Sequence, residues 1–241
     1  MKLITDDEDL STSIHIWYPT GHLPNPIRIL SSSASIIKAY GEVIKTLEKY
    51  PASLVAVSKR QPIERVEVLV GEGHKDFGEN YLQEWQDKKP LLPSDLRWHY
   101  VGQLQSRKLK ELNRDGIHMI HSVGSSSAVG KIPALAPLPP WLVQINLAGE
   151  DQKGGISEQE FHEMMTDQSR LPGLEGLMCI PPASLSGEGL RLHFRKMREL
   201  KEQYQLKELS MGMSSDWEMA LDEGSTLVRL GSILFGERTP R

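Results

Sequence analysis

From about residue 33 onward the apolar positions change period in a regular way. Ile36, Ile37, Tyr40, Val43, Ile44 and Leu47 recur at helical spacing, with Ser33 or Ser35 placed to cap the start, and Pro51 ends the run. Leu54-Val55-Ala56-Val57 is then short, continuous and apolar, and it leads through Ser58 into Lys59 just before Pro62. Such a run predicts a fully buried strand of a parallel sheet. The two patterns keep alternating. Ile63, Val66, Leu69 and Val70 make a helix face. Short strands are predicted at 76–80, 98–102, 119–123, 141–147, 174–180, 209–212 and 226–231. Helices are predicted between them at 81–90, 104–113, 125–134, 157–168, 189–204 and 215–223. Eight strand–helix units in so short a chain predict an α/β protein, a single (β/α)8 TIM-type barrel. An open doubly wound sheet is the alternative, but no Gly-x-Gly-x-x-Gly follows the first strand.

Residues 1–30 read differently. They mix acidic residues with Pro19, Pro24 and Pro26 and keep no period, so they are expected to form a mobile extension ahead of a barrel at 31–241. The chain has 241 residues, a hydrophobic fraction of 39% and a net charge of −4. That balance speaks against a nucleic-acid partner. No apolar run reaches the roughly 18 residues of a membrane span, and the N-terminus has neither a signal peptide's apolar segment nor a transit peptide's arginines. Cys179 is the single cysteine, which fits a reducing compartment and an inert core thiol. The expected location is the cytoplasm, and the expected state is a monomer.

Active sites of such barrels lie at the carboxyl ends of the strands. Those ends carry Lys59, Asn80, Gly102, Ser122 and Asn146, then Ser214, Arg229 and Gly231. Polar residues begin loops in any protein, but Lys59 and Arg229 directly continue apolar runs. A lysine at the rim of a dry core is a usable amine nucleophile. Met213-Ser214-Ser215-Asp216-Trp217 opens a helix, so Ser214 suits a cap or an anion contact, and Gly231-Ser232 offers open backbone amides. Loops after the seventh and eighth strands are the usual phosphate grip. An imine-forming lysine with a phosphate grip fits pyridoxal 5'-phosphate or a Schiff-base aldolase acting on a phosphorylated sugar. Arg229 beside a pyridine nitrogen would keep that nitrogen unprotonated. Strand six, where such aldolases carry their lysine, ends Cys179-Ile180-Pro181-Pro182. The spacing of His99, His118 and His121 matches no metal motif, and structural roles are expected for them. Arg107, Lys108 and Lys110 read as one solvated helix face.

Six stretches resemble the pyridoxal-phosphate homeostasis proteins: Leu54-Val55-Ala56-Val57-Ser58-Lys59, Phe77-Gly78-Glu79-Asn80-Tyr81-Leu82-Gln83-Glu84, Trp98 through Ser106, His121-Ser122-Val123, Leu209 through Ser214, and Gly224 through Gly231. The resemblance runs from about residue 34 to 238. It implies a barrel like the N-terminal domain of alanine racemase, with Lys59 holding the cofactor as an aldimine. Asn80 would face the ring, Arg229 would approach the pyridine nitrogen, and Ser214 with the Gly231 and Ser232 amides would hold the phosphate. It further implies a protein that binds, buffers or delivers pyridoxal phosphate, to apoenzymes as candidate recipients, without established turnover. No metal is implied. The sequence departs from the family at Arg60-Gln61-Pro62 and at Gly154, and residues 1–30 have no counterpart. An amino-acid racemase is the alternative; it needs a second acid/base, normally from an added β domain, and the chain runs about ten residues past strand eight.

Overall fold

In the computed structural model the described residues are 26–105, 109–114, 116–135, 137–150 and 154–236, with the backbone alone described at 26–32, 110, 113 and 114. Eight strands, β1 (Ser53–Val57), β2 (Asp76–Glu79), β3 (Arg97–Tyr100), β4 (Met119–Val123), β5 (Trp141–Ile145), β6 (Leu174–Cys179), β7 (Glu208–Ser210) and β8 (Leu227–Leu230), form a closed barrel in chain order. Every pair is parallel, and β1 bonds to β8 with Ser53 opposite Leu227 and Val55 opposite Arg229. Closure removes both sheet edges, so the doubly wound alternative does not hold.

The helices wrap the outside. They are α1 (Pro26–Leu47), α2 (Ile63–Gly71), α3 (Leu82–Lys88), α4 (Leu109–Arg114), α5 (Ser126–Val129), α6 (Ile132–Leu135), α7 (Glu158–Met164), α8 (Gly187–Gln203), α9 (Trp217–Asp222) and α10 (Ser232–Phe235). The first helix is already present at Pro26, the first described residue, ahead of the serines expected to cap it. So 26–30, read from the sequence as part of the extension, are helical, while 1–25 lie outside the described residues. The basic residues Arg107 and Lys108 also lie outside them.

Side-chain parity divides the core into two layers. Outward strand residues such as Leu54, Phe77, Trp98, Ile120, Trp141, Val143, Leu177 and Val228 meet buried helix faces. On α8 that face is Leu190, Phe194, Met197 and Leu200, spaced four, three and three apart. Inside the barrel a small apolar group, Val55, Met119, Leu142, Met178 and Leu227, fills the remaining space. The first strand stops at Val57, two residues before Lys59. Of the later strands only the one at 119–123 keeps its expected end; the others stop one or two residues early, the seventh at Ser210, where Gly212 turns the chain with φ +92°.

The interior also holds polar residues. Asp76 opens β2 and receives Arg97, its cross-strand neighbour, from Nε at 2.6 Å and from Nη2. The same carboxylate contacts His99 Nε2 at 3.1 Å. Burial works against its ionisation, yet the Arg97 and His99 hydrogen bonds together outweigh that and hold Asp76 well below the usual carboxylate range. A carboxyl whose folded pKa is depressed stabilises the fold above its unfolded value, about 3.9, and loses that contribution as pH falls toward the folded value. The stability difference between wild type and Asp76→Asn should therefore be constant above about pH 5 and shrink below about pH 4. Urea unfolding at a series of pH values checks this; an equal difference at pH 7 and pH 3.5 would rule it out.

Candidate functional site

Lys59 is presented by a turn that three elements hold. After β1 the Ser58 N–H donates to the Gly78 carbonyl at 3.0 Å, and the Gln61 N–H donates back to the Ser58 carbonyl at 3.0 Å. Between them Arg60 adopts φ +57°, a left-handed conformation that costs a non-glycine residue about 1 kcal/mol. The compensation comes from α3. Glu84 accepts the Arg60 N–H, and the Lys88 ammonium donates to the Ser58 carbonyl at 2.7 Å. Lys88 is 6% exposed and also reaches Glu79 Oε1 at 2.7 Å and Glu84 Oε1 at 2.8 Å, while the Ser58 hydroxyl donates to Glu79 at 2.7 Å. Burial pushes the Glu79 carboxyl up, and the ammonium opposes it. This clamp fastens the Lys59 turn to β2 and α3. The sequence reading passed over it, although the Glu84–Lys88 spacing of four on a helix was a usable signal.

The opposite wall is built by the turns after β7 and β8. Gly212 is required there: a Cβ would stand 2.8 Å from Ala220 and 3.0 Å from Trp217. Asp216 precedes α9 and accepts the Met213 N–H at 2.6 Å, so it braces the loop. Ser214, read from the sequence as a cap or an anion contact, accepts the Ile233 N–H at 3.4 Å and joins the β7 and β8 loops. At Gly231 the backbone runs close to β1, where a Cβ would meet the Val57 carbonyl at 3.2 Å.

Between these walls lies a cavity of about 340 Å3. All six residues singled out from the sequence line it: Lys59, Asn80, Ser214, Arg229, Gly231 and Ser232. Gln61 and Ser215 add polar surface that the sequence reading did not use, and Val57, Val101, Ile180 and Met213 supply the apolar part. Gln61 is held by Arg65, whose Nη1 also donates to the Phe235 carbonyl at 2.9 Å. Three other strand-end residues work elsewhere. The Ser122 hydroxyl donates to the Gly102 carbonyl, and Gly102 allows the Asn80 carbonyl to pass where a Cβ would sit 2.0 Å away. Asn146 ties down its own loop through Glu150, at 2.9 and 3.2 Å.

Arg229 dominates the electrostatics. It is 5% exposed, and its Nη1 donates to Ser210 Oγ at 2.6 Å and its Nη2 to the Cys179 carbonyl at 2.9 Å. Both acceptors are neutral, and among the described residues no carboxylate comes within ion-pair distance. Burial lowers its pKa, although a guanidinium stays protonated in proteins. Asp216 is close enough to act on it electrostatically but makes no ion pair with it among the described residues, and a buried cation with donors left over at a cavity face favours a ligand with an acceptor atom or negative charge. A primary amine on one side and hydroxyls with glycine backbone on the other suit a carbonyl compound that carries an anionic group.

The chain is similar to proteins of known family. The family described as the alanine racemase N-terminal domain matches residues 32–239. The pyridoxal phosphate homeostasis protein of Aquifex aeolicus is 38% identical over 200 residues, which is 78% of this chain and 87% of that protein. The structure of PipY from Synechococcus elongatus with PLP bound aligns with a TM-score of 0.75 at 32% identity, over 83% of this chain and 100% of that one. Alanine racemase from Bartonella henselae, 14% identical, shares the fold, with a TM-score of 0.71 over 86% of this chain and 64% of its own.

The clamp has a measurable consequence. Lys88→Met leaves Glu79 buried without its cation and should cost about 3–5 kcal/mol of stability. Adding Glu79→Gln should recover part of that loss, because the orphaned charge goes with it. Denaturant unfolding of the single and double variants decides it; a single-variant loss under about 1 kcal/mol would mean the ammonium is dispensable.

Proposed function

Because the chain belongs to the pyridoxal phosphate homeostasis proteins, we propose that its cavity is where it holds pyridoxal 5'-phosphate, with Lys59 as the covalent attachment point. The observation that carries this reading is the buried Arg229 guanidinium facing the same 340 Å3 cavity as the Lys59 amine. Bound pyridoxal phosphate supplies an aldehyde carbon that condenses with amines and a pyridine ring that draws electrons.

Each residue then has a task. The turn held by Lys88 presents the Lys59 amine at the cavity wall. Arg229 donates a hydrogen bond to the ring nitrogen and keeps its own proton, because a guanidinium is a far weaker acid than a pyridinium. That leaves the ring nitrogen uncharged and the ring a weaker electron sink. Asn80 lines the ring's side of the cavity. The Ser214 and Ser232 hydroxyls and the backbone amides at 231 and 232 hold the phosphate.

The lining supports retention and release more than turnover. Among the described residues that line it, the one proton acceptor of useful basicity is Lys59; the other polar groups are amides, hydroxyls and a guanidinium, which do not exchange protons readily near neutral pH. We therefore read the protein as a buffer or carrier of the cofactor, with pyridoxal-phosphate-dependent apoenzymes as its recipients. No helix among the described residues is long and apolar enough to cross a membrane. We further propose that it works as a monomer in the cytoplasm.

Borohydride reduction tests the attachment. Incubated with pyridoxal phosphate and reduced, the protein should carry a phosphopyridoxyl group on Lys59 by mass spectrometry, and Lys59→Ala should lose both the label and the visible absorption band. A label spread over surface lysines, unchanged in Lys59→Ala, would overturn the assignment. Steady racemisation of an amino acid by the wild type, abolished in Lys59→Ala, would favour the racemase reading.

A further inference from the structure

The barrel interior holds an unbroken line of polar contacts from one mouth to the other. Asp76 lies at the start of β2, at the mouth opposite the cavity. His99 Nε2 is 3.1 Å from its Oδ1, and His99 Nδ1 is 2.9 Å from His121 Nε2. His121 Nδ1 is 2.8 Å from Ser210 Oγ, and Ser210 Oγ is 2.6 Å from Arg229 Nη1. Three of these groups are sealed off: His99 is 2% exposed, and His121 and Ser210 are 0% exposed.

The chemistry of the two ends sets the direction of every bond. A guanidinium can only donate, so Ser210 Oγ accepts from Arg229. The Ser210 hydroxyl proton then goes to its other close partner, His121 Nδ1. His121 therefore carries its proton on Nε2 and donates to His99 Nδ1. His99 in turn carries its proton on Nε2 and donates to Asp76, a carboxylate that can only accept. Every donor meets one acceptor, and both imidazoles are neutral. Burial first, and then the nearby Arg229 guanidinium, hold His121 far below its ordinary pKa, which agrees.

Resting on the pyridoxal phosphate reading above, we propose that Ser210, His121, His99 and Asp76 are positioning residues for Arg229. They aim its guanidinium into the cavity and couple it to a carboxylate on the far side of the barrel. Arg229 has no counter-ion within ion-pair distance among the described residues, and a polarised chain of hydrogen bonds carries part of the Asp76 charge toward it. The anchor itself is fixed from outside by Arg97. His118 stacks edge-on against His99, ring centroids 5.3 Å apart, and the donor atoms of Asp76, His99 and His118 lie within 4.8 Å of one another. That cluster resembles a cation site, but Arg97 bonds both Asp76 oxygens and His99 Nε2 already faces Asp76. The group serves as the end of the chain.

Two measurements test the proposal. In the full chain without added cofactor, imidazole 15N shifts should place the protons of His99 and His121 on Nε2, and Ser210→Ala should disturb the His121 pattern. A wild-type His121 with its proton on Nδ1 would overturn the stated direction and the proposal with it. With pyridoxal phosphate as the probe, Ser210→Ala and Asp76→Asn should each weaken retention, roughly tenfold for the serine, and displace the absorption band. Ser210→Thr, which keeps the hydroxyl, should restore both. Unchanged retention and an unmoved band in Ser210→Ala would sink the proposal. If borohydride fails to label Lys59 in the wild type, the cofactor reading falls and the role toward the ring falls with it; the nitrogen shifts judge the chain independently.

Discussion

Hydrogen bonding of the first strand to the last is the constraint on which the site depends. Lys59 and Arg229 are 170 residues apart in sequence, and β1 pairs directly with β8. The register puts Val55 opposite Arg229, so the turn that follows Val57 rises beside the turn that begins at Gly231. A single-residue slip would reverse every inward side chain on one strand. Amine, guanidinium and phosphate grip would then no longer face one space.

Two buried cations show two ways of tolerating charge in a core. Lys88 is surrounded by carboxylates, Glu79 and Glu84, and its work is structural, since it holds a left-handed turn in place. Arg229 is surrounded by neutral acceptors and faces a cavity. Lysine's compact ammonium suits the first role, gathering three oxygens at 2.7–2.8 Å. Arginine's planar fork suits the second, because two of its arms can be fixed while others point to a ligand. The two sites adjoin through Ser58 and Lys59, so a rigid turn stands next to an electrostatically demanding pocket.

Much of this was legible in the sequence. Buried parallel strands read as apolar runs, and their alternation with helical faces gave both the fold and the rim on which Lys59, Asn80 and Arg229 stand. What stayed hidden depends on contacts between distant segments. Apart from Glu84, the partners of the Lys88 ammonium lie 9 and 30 residues away, and Lys88 itself reads as one more charge at a helix end. The histidines were expected to be structural, but their bond to Ser210 spans 89 residues across the barrel, and no local pattern announces it. Ser214 is a further case: its place before a helix fits a cap or an anion contact, and no local pattern announces the hydrogen bond it accepts from Ile233, on another loop. The start of the first helix was also read too late, because periodicity marks the buried face from Ile36 onward and not the helical residues that precede it.

The wall behind Arg229 has a consequence for chemical selectivity. Cys179 gives its carbonyl to the guanidinium while its side chain points away from the barrel interior, fully buried, its thiol pushed up to about 12 by burial. Thiolates add to aldehydes and are the first groups lost to oxidants. This chain's single sulfhydryl, protonated and sealed, competes for neither. A protein that keeps company with a reactive carbonyl thus exposes no thiol of its own, and the contest for that carbonyl is left to amines.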